Sequence, residues 1–291
     1  MRNILPILTV VFGLFVIWYA GAVYLNSNWA YDKAKRADVE LSFGVMVADT
    51  MAQEKPRLPP PHQVIEEIWK TTGAMVQRGR AFSKRSLIYH GWITLSSTML
   101  GFVFGTGLGI LLAVAIVHSR AMDMSVMPWV IASQTIPILA IAPMIVVVLA
   151  SAQVDDFIAK GVISMYLSFF PVVVGMVKGL RSPDHMEMDQ MRTWNASRSQ
   201  TFWRLRLPAS ASFLFTSLKV GVAASLIGAV VAELSLSQDG GLGARMLVGS
   251  YYGQTIQIWS ALIAAATLAA LMVAMIGVVQ TVTLKKMGMA S

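Results

Sequence analysis

The 291-residue chain contains no cysteine, which excludes disulfide frameworks, thiolate metal sites and cysteine nucleophiles and leaves the redox compartment unassigned. Charge is scarce as well: 13% of the residues are Asp, Glu, Lys or Arg, against about 25% in an ordinary soluble domain. The four histidines, His62, His90, His118 and His185, are scattered along the chain, so no histidine-built metal site is expected. No G-x-x-x-x-G-K-[ST] sequence occurs, so the chain has no P-loop of its own, energy must come from elsewhere, and no cofactor is expected. What it has in abundance is apolar sequence, with 56% hydrophobic residues and a mean hydropathy of +0.63. In that setting the net charge of +8 reads as basic loops flanking membrane spans, with no nucleic-acid partner.

A bilayer core needs about 20 apolar residues per helix. Six runs qualify: Ile4 to Leu25, Gly91 to Val117, Val126 to Ala150, Phe157 to Leu180, Ala209 to Leu236 and Trp259 to Leu284. They are too long for barrel strands and lack period-two alternation, so the expected fold is all-α, a polytopic membrane bundle of about six transmembrane helices. Arg181, Arg192, Arg198, Arg204 and Arg206 place the segment after the fourth span in the cytoplasm, and Lys285 and Lys286 do the same for the C-terminus. By alternation the N-terminus is cytoplasmic too, while the loops with Asp155, Asp156 and Lys160, and with Asp239 and Arg245, lie outside. Residues 26 to 90 would also lie outside, although they hold ten Lys/Arg against seven Asp/Glu. The first run also fits a cleavable signal peptide, since Arg2 precedes it and Ala20-Gly21-Ala22 closes it, but its length exceeds the usual ~7–15-residue apolar region.

The chain therefore divides into an N-terminal span (1–25), an extracytoplasmic loop (26–90) and a core (91–286) with a cytoplasmic segment at 181–208. Residues 26 to 58 show no firm period. After Pro59-Pro60-Pro61, Val64, Ile65, Ile68 and Trp69 fall at helical spacing beside Glu66, Glu67 and Lys70, which predicts a short amphipathic helix, either on the membrane or protein surface or as a linker.

Within the spans, Gly101, Gly105 and Gly109 recur every four residues and open one face of the second span to a neighbouring helix. The run Gly105-Thr106-Gly107-Leu108-Gly109 is followed by Ile110 and lies in no βαβ unit, so it is not a dinucleotide fingerprint. Pro137 and Pro143 cannot donate backbone hydrogen bonds inside the third span, which should be kinked or broken. Ser133, Gln134 and Thr135 sit beside the break and either face a translocation path or satisfy the freed backbone groups. Lys219 in the fifth span is expected to snorkel toward the cytoplasmic interface. Glu233 on the same span is about 21 Å away along the helix, so it needs a different partner, a backbone amide or a basic group.

The segment from Leu180 to Pro208 predicts a helix-turn-helix elbow. Asp184 with Glu187 and Ser197 with Gln200 form two capping signals, and Asn195 suits the left-handed turn between the helices. Met188, Met191, Trp194, Phe202, Trp203 and Leu205 are more apolar than a solvated loop requires, which implies a partner surface. Its place between two spans argues against reading DNA.

Asp189-Gln190-Met191, three residues, Asn195, nine residues, then Leu205-Arg206-Leu207-Pro208 resembles the EAA motif of bacterial ABC-importer permeases, E-A-A-x3-G-x9-I-x-L-P. The nitrate, sulfonate and taurine branch is the most similar. Pro137 with Ile141-Ala142-Pro143, Phe169-Phe170-Pro171, and Ala232-Glu233 with Gly241-Leu242-Gly243 support the likeness over residues 58 to 286. It implies a type I importer permease fold in the bacterial inner membrane, and a dimer, homodimeric or with a sister permease. ATP-binding cassette subunits would dock on Asp189, Gln190, Met191, Asn195, Ala196, Ser197, Leu205, Leu207 and Pro208, and an extracytoplasmic binding protein would deliver a small polar solute: nitrate, a sulfonate, taurine or a vitamin precursor. Ser133, Gln134, Thr135, Pro137 and Glu233 would belong to the pathway. The chain departs from the motif where Asp189 replaces Glu, Asn195 replaces Gly, and Gln190 and Met191 replace the two alanines. The rival reading, a stand-alone channel or ion-coupled carrier, would be expected to show several intramembrane carboxylates, whereas Glu233 alone is a candidate.

Overall fold

The computed structural model describes residues 4–288, and no strand occurs among them. Arg2, the basic residue of the signal-peptide reading, lies outside the described residues. The helices are α1 (Ile4–Arg36), α2 (Phe43–Ala52), α3 (Pro61–Thr71), α4 (Gly73–Gln77), α5 (Leu87–His118), α6 (Arg120–Ser133), α7 (Ile138–Ser151), α8 (Asp156–Leu180), α9 (His185–Thr193), α10 (Arg198–Thr201), α11 (Leu207–Ala209), α12 (Ala211–Ser235), α13 (Leu242–Tyr251) and α14 (Thr255–Lys286). Among the described residues five helices are long and apolar enough to cross a membrane, or six if α6 and α7 count as one broken span. The chain is thus a multi-pass membrane protein. It divides into two compact units, one holding the described residues up to His90 with Arg245–Ala264, the other Gly91–Ala244 with the chain from Ala265 onward.

In the first unit α1 runs eleven residues beyond the expected end at Leu25. The reason is a covered face: Ala22, Asn26 and Ala30 recur every four residues and are all buried, and α2 packs along α1. The aperiodic insert is therefore ordered by tertiary contact. Asn26 holds it, donating from Nδ2 to the Leu58 carbonyl (2.9 Å) and accepting at Oδ1 from the amides of Arg57 (2.8 Å) and Leu58 (3.2 Å). Lys33 pairs with Asp49 at 2.9 Å. The indole of Trp18 donates to Pro59 O and meets the Trp259 ring at a tilt of 37°, 5.0 Å between centroids. The amphipathic helix forms as α3, with Val64 buried, but Ile65 and Trp69, one turn apart, remain exposed instead of sharing its covered face. Arg245 fixes α3 and the segment after it, donating to Glu67 (3.1 Å) and to Arg85 O (3.1 Å). Burial pulls its guanidinium below the ordinary arginine value while Glu67 pulls the other way.

In the second unit α8 and α12 form the central pair. Small residues let them approach closely: a Cβ built on Gly175 of α8 would meet Ser217 of α12, one on Gly179 would meet Phe213 of α12 and Ser210 just before it, and one on Gly228 would meet the backbone of Ile163 and Ser164. The glycine face of α5 packs on α8 as its spacing predicts, with Gly101, Gly105 and Gly109 lying against Ser164, Ser168 and Val172. Gly107 faces open space. Hydroxyls tie the layers together: Ser168 donates to Gly101 O (3.1 Å) and Ser225 to Thr98 O (2.8 Å). In a membrane such small-residue faces and interhelical hydrogen bonds carry the association that burial from water supplies elsewhere.

Candidate functional site

The elbow forms as the spacing predicts. Asp184 accepts from the Glu187 amide while the Glu187 carboxylate accepts from the Asp184 amide, and Ser197 and Gln200 repeat the arrangement. Between the two capped helices Asn195 has φ +52°, a conformation Asn tolerates better than most residues because its short side chain can bond locally. The second helix differs from expectation. After α10 the backbone widens into a π-helical segment, Phe202–Arg206, in which the Leu207 amide bonds five residues back to Phe202 O. Pro208 explains this, since it lacks the amide for the Arg204 carbonyl and its ring crowds that turn.

The elbow has an anchored side and a bare side. Phe202 and Leu207 pack on the apolar cluster of Ala113, Ile116, Val173, Met176, Val177 and Leu180, and His118 meets Phe202 edge-on at 5.1 Å. Among the apolar residues singled out from the sequence, Trp194 (67%) and Trp203 (63%) are exposed, whereas Met188, Met191, Phe202 and Leu205 are half-buried. Met186 of α9, which spacing did not single out, is 80% exposed. Asp189 pairs with Arg192 at 2.9 Å on the exposed side, where Gln190 and Ser197 also lie; Ala196 and Pro208 are half-buried.

The broken span lies elsewhere in the same unit. α6 ends at Ser133 and α7 starts at Ile138, with a bend of 102°. Pro137 is the N-cap of α7 and makes the break, but Pro143 lies inside α7, and so causes no second break. Ser133 donates to Val130 O (2.7 Å) and Thr135 to Ala132 O (2.8 Å), so both hydroxyls are occupied by backbone carbonyls at the end of α6; Gln134 and Pro137 are exposed.

At the end of the unit opposite the elbow, Glu233 is fully buried. Its Oε2 accepts from Thr94 Oγ1 (3.0 Å) and from the amide of Gly243 (2.8 Å), and Thr94 Oγ1 accepts in turn from the Leu242 amide (2.9 Å). The partner is thus a hydroxyl and a backbone amide, the latter at the start of α13. Gly241 has φ +117°, and a Cβ there would overlap the Glu233 carboxyl. Lys160, assigned to a loop by charge, is instead buried in α8 (2% exposed) and pairs with Asp239 at 3.3 Å. The signal that exposes it is the one that marks Glu233, an ionisable residue inside an apolar run. Among the described residues no cluster of His, Cys, Asp or Glu could hold a metal ion.

Residues 105–288 match the family described as binding-protein-dependent transport system inner membrane component. The formylaminopyrimidine transport permease protein ThiX of Halalkalibacterium halodurans is 31% identical over 169 residues, 58% of this chain and 66% of that protein. A permease named for aliphatic sulfonate transport, SsuC of Bacillus subtilis, is 25% identical over 61% of this chain and 62% of its own length. The taurine transport system permease protein TauC of Escherichia coli is 26% identical over 64% of each. The matched stretch spans just under two thirds of each of these relatives.

Proposed function

Because the chain belongs to the family of binding-protein-dependent transport system inner membrane components, we propose that it is the permease subunit of an ATP-driven importer and forms the pathway for a small polar solute. The elbow carries this reading: two reciprocally capped helices joined at Asn195, anchored to the core on one side and presenting Met186, Trp194 and Trp203 to solvent on the other. An exposed aromatic pair beside a rigid turn suits a docking surface better than a connecting loop. The partner would be an ATP-binding cassette subunit, contacting the exposed Asp189, Gln190, Asn195 and Ser197 with the half-buried Met191, Ala196, Leu205 and Pro208 beside them; Leu207, which packs on the core cluster, would anchor the elbow instead of meeting the partner. ATP hydrolysis belongs to that subunit and not to this chain.

Two copies of the chain would enclose one path in the bacterial inner membrane, with both termini and the elbow cytoplasmic and the turn after α12 facing an extracytoplasmic binding protein. Residues 26–90 would form the outer loop and 91–286 the core. A docking force on α9 and α10 would pass through α11 into α12, a rigid rod of about 37 Å, and reach Glu233 and the glycine turn. Ser133, Gln134, Thr135 and Pro137 would line the path at the break between α6 and α7. The solute, by analogy with the relatives, is a sulfonate, a taurine-like compound or a vitamin precursor.

Co-purification of the ATPase tests the reading. Asp189→Lys reverses an exposed charge, and Asn195→Arg places a residue disfavoured by about 1–2 kcal/mol in the left-handed turn. Both should abolish ATPase association and uptake while leaving the spans folded. Intact association and uptake in both variants would sink the proposal.

A further inference from the structure

Residues 68 to 122 contain no Asp or Glu, yet Arg78, Arg80, Lys84 and Arg85 crowd into one short stretch of them. All four side chains are exposed, and among the described residues none takes part in an ion pair. The nearest preceding carboxylates are already used, Glu66 by Lys70 (2.7 Å) and Glu67 by Arg245 (3.1 Å). The loop that carries the cluster is nonetheless held. The Arg80 amide donates to Met75 O (2.8 Å), His90 Nε2 to Lys84 O (3.0 Å) and Arg245 Nη1 to Arg85 O (3.1 Å). Backbone groups thus fix the chain while the charged side chains stay outside the fold.

Apolar side chains are interleaved with these charges. Phe82, between Arg80 and Lys84, is 68% exposed, and Val76 is exposed two residues before Arg78. On α3 the uncovered side is divided: Ile65 and Trp69 lie along one edge of the buried face of Val64 and Thr71, and the Glu66–Lys70 pair lies beyond them. The Trp69 indole lies across Gly73, where a Cβ would overlap it, so glycine at that position makes room for the ring. Exposed rings and alkyl groups beside unpaired cations are the composition of a segment that lies in a membrane interface, with the apolar groups at the acyl boundary and Lys and Arg at the phosphates.

The next helix brings the membrane to this loop. Leu87 opens α5 two residues after Arg85, and α5 runs 32 residues without Asp, Glu, Lys or Arg, about 48 Å. A bilayer with its headgroups is about 40–45 Å thick, so a spanning helix of that length has little left over to carry the loop clear of the lipid. Tyr89 and Trp92 in its first two turns are of the type enriched at that level. A protein partner would have to supply acidic groups for four cations, whereas a multi-pass chain meets a bilayer surface in every state.

We infer that the loop from Arg78 to Arg85, with Ile65, Trp69, Val76 and Phe82 beside it, is a contact surface for anionic phospholipid headgroups. The guanidinium groups and the Lys84 ammonium take the phosphates, the former through paired donors, and the apolar side chains enter the acyl boundary. The basic cluster then has its counter-charge in the lipid. This concerns how the chain is seated in its membrane and depends neither on the solute nor on what docks at the elbow.

The cysteine-free sequence allows a single fluorophore to be placed. Phe82→Cys in the full chain is labelled with an environment-sensitive probe and reconstituted in phosphatidylcholine vesicles containing a small fraction of acyl-spin-labelled lipid, either phosphatidylglycerol or phosphatidylcholine. The same probe on Phe12→Cys, within the apolar run of α1, establishes that the protein is in the bilayer. At residue 82 the anionic lipid should quench on the order of fivefold more strongly than the zwitterionic one, since one Lys or Arg near an anionic surface is worth about that factor. The preference should collapse in about 1 M salt, where the Debye length is about 3 Å, and when Arg78→Gln, Arg80→Gln, Lys84→Gln and Arg85→Gln are combined. It should persist when the three arginines become lysine. Equal quenching by the two lipids, or a preference that survives both salt and the combined glutamine variant, would overturn the inference. So would the absence of quenching by either lipid, because the face would then lie in water or under a protein.

Discussion

Glu233→Ala is the substitution whose cost the structure defines most closely. The carboxylate is fully buried and one of its oxygens accepts two hydrogen bonds, from Thr94 at 3.0 Å and from the Gly243 amide at 2.8 Å. Alanine removes the oxygen that accepts both bonds. Losing a buried hydrogen bond costs about 1–3 kcal/mol, so the pair amounts to about 2–6 kcal/mol. Glu233→Gln keeps a carbonyl oxygen for one or both donors and should lose less than half as much. For a chain of this size 1 kcal/mol moves a thermal midpoint by about 2–4 °C. In detergent micelles the alanine variant should therefore melt roughly 4–24 °C below the parent, by the arithmetic of those two ranges, with glutamine in between. An alanine variant within about 1 °C of the parent, or a glutamine variant as unstable as alanine, would refute the claim that these two bonds hold the turn from Asp239 to Gly243 against α5 and α12.

Asn26→Ala removes three hydrogen bonds from a buried side chain and should release the segment between α2 and α3 at a cost of about 2–4 kcal/mol; limited proteolysis between residues 53 and 60 should accelerate, and an unchanged cleavage rate would contradict the clamp. Pro208→Ala restores the missing amide, so the π segment should close to a regular helix and turn α9 and α10 by about 100° relative to α12. ATPase co-purification should then persist while coupled uptake falls on the order of tenfold; unchanged uptake would show that the widened turn does not set the coupling angle.

The sequence by itself determined the six apolar spans, the break at Pro137, the glycine face of α5 and both capped helices of the elbow with Asn195 between them. Each depends on groups a few residues apart, where backbone geometry and the length of a bilayer leave few choices. It could also show that Glu233 needs a partner, but not which one. The Thr94 hydroxyl is 139 residues away, and the Leu242 amide that completes the arrangement is 148 residues from Thr94, so no local pattern joins them. The same holds for Lys160, whose loop assignment followed from counting charges, while its partner, Asp239, is 79 residues away. Tertiary structure also decided that residues 26 to 36 continue α1, because α2 packs along it and the segment after α2 bonds to Asn26. It decided as well that the Lys219 side chain lies beside Gly277 of α14. Spacing fixes which residues share a helix face; what lies against that face is settled by packing between distant parts of the chain.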